Sequence, residues 1–374
     1  MFDKGGMNNN AQRKEVRVKN VDKIKRYAEI NMALLTGQDT TAYGKEVDEV
    51  VKFMSQLGAR AAQNDETAKA EINTIVKIGI EPLLVKQMQV YQLFGNYRSI
   101  GMDETPVVHT WTYESLNADI QAKGSDVSFA DRKEVSYAIP TRIISAGMRY
   151  NYRDFESKNF VGTNAQEIEQ IQTTMHNKGV AYVIDTIVSA LKNNTTGVKF
   201  YGEYNDEPTQ TATDDMIKKI RRMGKVSVLG DYDKIATISG FNGYQNPNST
   251  TLPFYTPSQV DEIAKQGYNG DYKGSSLVVL PNAYNFTKPL ADKTAFETYY
   301  NPDHIFFVPQ NGQSPINIIR RGGLTTMTGN DVSTGSILTR FDMEIGADVV
   351  KGREFEIGCL TKSCLLYTSD AADD

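Results

Sequence analysis

The sequence predicts an α+β protein, on three observations. Residues 164–192 carry one apolar stripe at three- and four-residue steps. Residues 107–114 and 135–147 alternate in polarity on either side of a long polar excursion. Residues 210–330 interleave short helical and strand-like runs. The expected organisation is an N-terminal arm with helices over 1–75, a body made of 76–209 and 331–363, and an α/β domain over 210–330. The expected loop of the body covers 115–134 and its long helix 164–192.

The arm opens the chain. Through residue 27 it holds eight Lys or Arg against three acids, with Arg13, Lys14, Arg17 and Lys19 close together. Such a segment is either solvated or laid against an anionic or subunit partner. Helical spacing follows at Val21, Ile24, Tyr27, Ile30, Leu34 and Leu35, then at Val47, Val50, Val51, Met54 and Leu57. A third apolar run, Ile72 to Ile80, meets Pro82, which stops or kinks a helix.

From residue 94 the texture becomes extended. FGNYRSIGM reads as strand, and TPVVHTWTYES sets Val107, His109, Trp111 and Tyr113 against Val108, Thr110 and Thr112. Alternation resumes at Val135, Tyr137 and Ile139, then at Ile143, Ser145 and Gly147. Two strands around a polar loop predict a projecting hairpin arm that rests on something. The 164–192 stripe runs through Ile168, Ile171, Met175, Ala181, Ile184, Ile187, Val188 and Leu191, with Thr163 or Asn164 as expected cap. Its length would be about 40 Å.

Beyond it, the expected elements are an extended VKFYGEY, a helical DDMIKKIRRMG, a buried strand KIATISG and a helix SQVDEIAKQG capped by Ser258 and Asp261. SLVVLP then reads as a central strand, NAYNFTKPLAD as a short helix, and HIFFVPQ and INIIRR as strands. Residues 336–362 predict an antiparallel strand pair turning at Lys351 and Gly352. No internal repeat is present.

The last residues, CLLYTSDAADD from Cys364 to Asp374, have neither helical nor strand periodicity. Their back-translation resembles the transposase adaptor of short-read sequencing libraries. We therefore expect a scar of gene assembly from environmental DNA and leave 364–374 out of the fold. The formal net charge is −5, and −2 without Asp370, Asp373 and Asp374. A nearly neutral surface gives no reason for tight nucleic-acid binding. Outside that tail only Cys359 remains, so the expectation is no intrachain disulfide and a reducing site of synthesis. There is no apolar run of about 18 residues and no signal-peptide core, which predicts a soluble, intracellularly made chain.

Chemistry is hard to place. His109, His176 and His304 stand apart, without a His, Cys or Glu at metal-ligand spacing. Cys359 sits in the strand pattern FEIGCL, as a buried inert thiol would. GYNGDYKGSS lacks the order of a phosphate loop and reads as a turn. Asp214 and Asp215 are expected to favour a helix N-terminus. No catalytic, cofactor-binding or metal residue is assigned.

The order of parts resembles the major capsid proteins of tailed bacteriophages, which share the Hong Kong 97 phage fold with encapsulin shells. The likeness spans about 15–362 and rests on TWTYESLNADIQAKGSD, the 164–192 helix and TRFDMEIGADVVKGREFEIGCL. It implies a Hong Kong 97-type fold: an N-terminal arm, an extended β-hairpin loop, a spine helix in a peripheral domain and an α/β axial domain. It further implies that Asp119, Gln121, Lys123, Asp126, Phe129, Arg132 and Lys133 contact a neighbouring subunit, and that the basic arm faces the lumen or a partner. Some family members crosslink through a loop lysine; Lys123 and Lys133 are read here as plain charged residues.

The implied function is self-assembly through pentamers and hexamers into an icosahedral shell enclosing double-stranded DNA, with a scaffolding protein and a portal as further partners. No membrane, cofactor or catalysis is implied, and the place is the virion, assembled in the bacterial cytoplasm. Three alternatives stay open: an encapsulin-type compartment, told apart by gene neighbours; another virion component, which would form rings or tubes; and a small-ligand enzyme, which would need a cleft of convergent titratable groups.

Overall fold

A computed structural model gives the fold. It describes residues 44–63, 90–113, 132–151, 160–193, 200–242, 257–310 and 314–363 apart from 332 and 335, with single positions between 25 and 77 and at 118, 120, 129 and 198. The expected α+β class is the class observed. The chain divides into one unit of Met1–Gln89, Arg142–Gly179 and Arg320–Ile345 and a second of Val90–Thr141, Val180–Ile319 and Gly346–Asp374.

The elements, in chain order, begin with α1 (Gly44–Ala62), α2 (Tyr91–Phe94), β1 (Asn96–Ile100), β2 (Val107–Tyr113), β3 (Arg132–Ala138), β4 (Thr141–Asn151) and α3 (Phe160–Lys192). Next come β5 (Tyr201–Tyr204), α4 (Gln210–Arg221), β6 (Val226–Gly230), α5 (Tyr232–Ser239), α6 (Pro257–Gln266), β7 (Asp271–Tyr272) and β8 (Ser275–Val279). The last are β9 (Tyr284–Pro289), β10 (Phe296–Thr298), β11 (Ile305–Pro309), β12 (Ile316–Asp331), β13 (Ser336–Val349) and β14 (Gly358–Lys362).

Two long strands, β12 and β13, form the middle of a four-stranded sheet ordered β1-β12-β13-β4. Along β13 the pleat is plain in the first unit: Ile337, Phe341, Met343 and Ile345 are buried while Leu338 and Arg340 face out. β4 follows the same rule, as its alternation predicts: Ile144 is buried, and Ile143, Ser145 and Gly147 are exposed. Helix α3 has 33 residues, about 50 Å at the helical rise. It starts at Phe160, so Thr163 and Asn164 lie inside it rather than capping it.

The second unit holds a six-stranded sheet ordered β5-β14-β11-β6-β8-β7. β11 runs antiparallel to both β14 and β6, while β14 pairs with β5, and β6 with β8, in parallel. All five residues of β6 are buried, as a central strand requires. α4 lays Thr213, Met216, Ile217 and Ile220 on this sheet at helical spacing, and α5 adds Ile235 and Ile238. Met216, Ile217, Ile220, Ile235 and Ile238 share one core with Val228, Ile305, Phe307 and Leu360.

Five elements differ from the sequence expectation. KIATISG is helix, not strand: Asp231 caps it by accepting from the Asp233 N–H at 3.4 Å, and the buried strand is VSVLG just before it. NAYNFTKPLAD is largely strand β9, because Asn285 Oδ1 takes the Thr287 N–H at 3.2 Å and hydroxyl at 2.6 Å, a local bond that competes with helix. β13 and β14 do not pair, since Gly352 at φ +83° and the 3-10 turn Glu354–Glu356 send β14 into the other sheet. α4 is capped by Thr209, whose Oγ1 accepts from Ala212 N at 3.3 Å. Asp214 lies within α4 and binds the Tyr272 hydroxyl at 2.8 Å and Lys273 Nζ at 2.6 Å. Ser258 likewise lies within α6, which begins at Pro257. GYNGDYKGSS is a turn as expected, with Lys273 and Gly274 at positive φ between β7 and β8.

Candidate inter-subunit surfaces

The hairpin arm is built by β2 and β3. Its antiparallel register runs without a break from Val107↔Ala138 to Tyr113↔Arg132. The root is pinned from several sides. Ile139 N donates to Pro106 O at 2.7 Å, and an Arg98 guanidinium N–H donates to Val107 O at 2.7 Å. Val108 and Ile139 are buried against Ile319 and Val350, so the inward residue of β2 is Val108, while His109 is exposed and meets Glu134 at 3.1 Å.

Lys351 Nζ stands 5.3 Å over the Tyr137 ring, and burial, helped by the nearby Asp348, pushes the Tyr137 phenol up. Burial also raises the Asp348 carboxyl. This root is a packed joint from which two strands carry the chain outward.

Of the residues expected on the loop, Phe129 is 90% exposed, and Ile120 beside them is fully exposed. Arg132 and Lys133 lie in β3, opposite Tyr113 and Thr112. Asp119, Gln121, Lys123 and Asp126 lie outside the described residues, as do Arg13, Lys14, Arg17 and Lys19 of the basic arm. The sequence reading missed the outward aromatics of β9 and β10: Phe286 is 75% exposed and its ring centre lies 5.3 Å from that of Phe296. The alternation of Tyr284 and Phe286 ahead of Pro289 was the signal, overridden by the helical reading.

His176, His304 and Cys359 are engaged in packing. Burial lowers His176 to about 4. Burial also lowers His304, against the pull of Asp303, and the ring bonds Thr361 Oγ1 at 2.7 Å. Cys359 is buried, with its thiol pushed up by that burial. Among the described residues no three His, Cys, Asp or Glu gather as metal ligands.

A shallow depression over β4, β12 and β13 is lined by Gly147, Arg149, Met327, Leu338 and Arg340. Its two arginines are ion-paired, Arg149 with Asp331 and Arg340 with Asp342. Asp331 is held at about 2 by the Ser333 and Thr334 hydroxyls, and Arg149 lies 3.6 Å away. Asp342 is lowered because its bonds to Ser145 and Arg340 outweigh burial. Acids fixed as anions in this way are suited to holding shape rather than to passing protons. Among the described residues no helix is long and apolar enough to cross a membrane.

The chain belongs to the family described as "SPbeta prophage-derived putative capsid protein YonB", whose model matches residues 6–361. It is thus a capsid protein, with a structural role and a place in the virion, and the likeness to phage capsid proteins read from its sequence is borne out. No curated protein matches the sequence.

Solved structures similar to it include the capsid of a native GTA particle, at 12% identity and TM-score 0.49, covering 74% of this chain and 90% of that one. Mycobacterium phage Patience matches at 11% identity and TM-score 0.46, covering 75% and 85%. A virus-like particle from Pyrococcus furiosus matches at 11% and TM-score 0.41, covering 75% and 97%.

Proposed function

We propose that this chain is the major capsid protein of a tailed phage, with a Hong Kong 97-type fold. Copies assemble through pentamers and hexamers into an icosahedral shell around double-stranded DNA. The observation that carries the proposal is the β2–β3 arm: seven paired residues lead from a packed root to the exposed apolar residues Ile120 and Phe129. An arm that exposes its apolar residues needs a surface on another molecule, and in a family of capsid proteins that molecule is a second copy.

In this reading residues 115–134 strap a neighbour, with Asp119, Gln121, Lys123, Asp126, Phe129, Arg132 and Lys133 at the contact. The helix around 164–192 is the spine of the peripheral domain, and 210–330 is the axial domain at the capsomer centre. Each copy offers different faces to successive neighbours, which closes rings and then a shell. The basic arm, Arg13 to Lys19, touches packaged DNA weakly; a near-neutral body lets DNA slide during packing. Assembly takes place in the bacterial cytoplasm, with a scaffolding protein and a portal as further partners.

Size-exclusion chromatography with light scattering on the full chain tests this. The expected result is a species many times heavier than the 41.7 kDa subunit. A folded chain that stays at the subunit mass when concentrated, both alone and after co-expression with its neighbouring genes, overturns the proposal.

A further inference from the structure

Two apolar surfaces of the second unit are uncovered in the single chain. The first is a ribbon. β9 and β10 pair with each other and, among the described residues, with no other strand. An isolated two-stranded ribbon is marginal in water. This one turns its aromatics outward, with Phe286 75%, Tyr284 52% and Phe296 37% exposed and the two phenyl rings already edge to face. Its root is held: Asn282 Nδ2 donates to Asp231 Oδ2 at 2.9 Å and to Tyr300 O at 3.2 Å. The aromatic pair is therefore presented in place, and little ordering remains to be done on binding.

The second surface is α6. None of its ten residues is buried, although Val260, Ile263 and Ala264 share a face. Val260 is 52% exposed, and Tyr232, at the start of α5, 47%. Tyr232 meets Tyr268, just beyond α6, edge to face with centroids 6.2 Å apart. Gly267, at φ +83°, leaves room for the Tyr232 hydroxyl, which a Cβ there would strike. An aromatic rim thus stands beside an uncovered helix.

Charge decides the kind of partner. From Tyr284 to Thr298 there are two lysines, Lys288 and Lys293, and two acids, Asp292 and Glu297. Lys288 lies 3.5 Å from Glu297 across the strands. Such a ribbon has no net charge to draw a phosphate backbone. Pro289 removes a backbone donor and Lys288 charges the edge, which opposes strand addition and leaves the ring faces as the contact.

We infer that the ribbon of one copy docks, through Phe286 and Phe296, on the α6–Tyr232 surface of the next copy. The inference rests on the capsid reading above. A closed ring of one chain needs two different, complementary patches on each copy, and the second unit carries both uncovered.

Two variants of the full chain test it: the double change Phe286→Ser with Phe296→Ser, and Val260→Lys. Each alone is expected to lower particle yield by about tenfold or more, with far-UV circular dichroism and melting unchanged. Mixed in equal amounts, they are expected to form dimers in sedimentation, because the intact ribbon of the Val260→Lys chain meets the intact helix of the other. Wild-type yield from either variant alone overturns the inference, and so does a mixture that stays monomeric. If the double variant does not fold, Phe286→Thr, which keeps strand propensity, takes its place. A wild-type chain that never self-associates sinks the capsid reading before any variant is compared, and this contact with it.

Discussion

Lys234 is a nearly buried charge of the second unit, its side chain 9% exposed near the start of α5. Glu207 at 3.0 Å and Asp303 at 3.2 Å hold it, and the Tyr204 ring lies under the ammonium at 5.8 Å. Burial disfavours its charge, but the two carboxylates outweigh burial and keep its pKa above the ordinary value. Lys234→Ala leaves Asp303 largely buried without its cation, and should cost about 2–3 kcal/mol in urea unfolding.

His176 gives a pH signature. Its native pKa of about 4 lies below the ordinary 6.5, so the stability tied to the neutral ring is full above pH 6.5 and is lost as pH falls toward 4. Between pH 7.5 and 5 that loss amounts to about 2 kcal/mol, and His304 adds to it in the same direction. His176→Leu should therefore flatten the fall of stability over this window, measured by denaturant titration at each pH.

At the scale of elements, the hairpin arm makes the sharpest prediction. Tyr113 and Arg132 stand opposite each other, so residues 114–131 can be replaced by Asn-Gly, the preferred two-residue closure. The shortened chain should melt with the wild type and fail to form particles. Particles at wild-type yield would show that the loop is no strap.

The arm, the long helix, α4 and the β8, β11 and β12 strands were legible because each carries its own periodicity. What misled was local. Ile235 and Ile238 are β-branched, yet Asp231 and the Thr237-to-Asp233 O bond place them on a helix. Tyr284 and Phe286 alternate, but a lone ribbon with outward aromatics has none of the burial that makes a strand recognisable. The separation of β13 from β14 follows from a turn in which Arg353 grips Glu356 at 2.6 Å, a tertiary detail no periodicity carries. Of the candidate surface, the loop position of Phe129 was readable from sequence, while the Phe286–Phe296 pair depends on two strands meeting across a turn.

At the scale of the whole molecule, the chain has the marks of a part made to be completed by copies of itself. It belongs to a capsid family, extends an arm with exposed apolar residues, and leaves a ribbon and a helix of one unit uncovered. We propose that these surfaces close a shell. Negative-stain electron microscopy of the full chain, purified alone and after co-expression with its neighbouring genes, tests that claim most directly. Closed particles, or rings of five and six subunits, are the predicted result. A folded, monodisperse monomer in both preparations would contradict it.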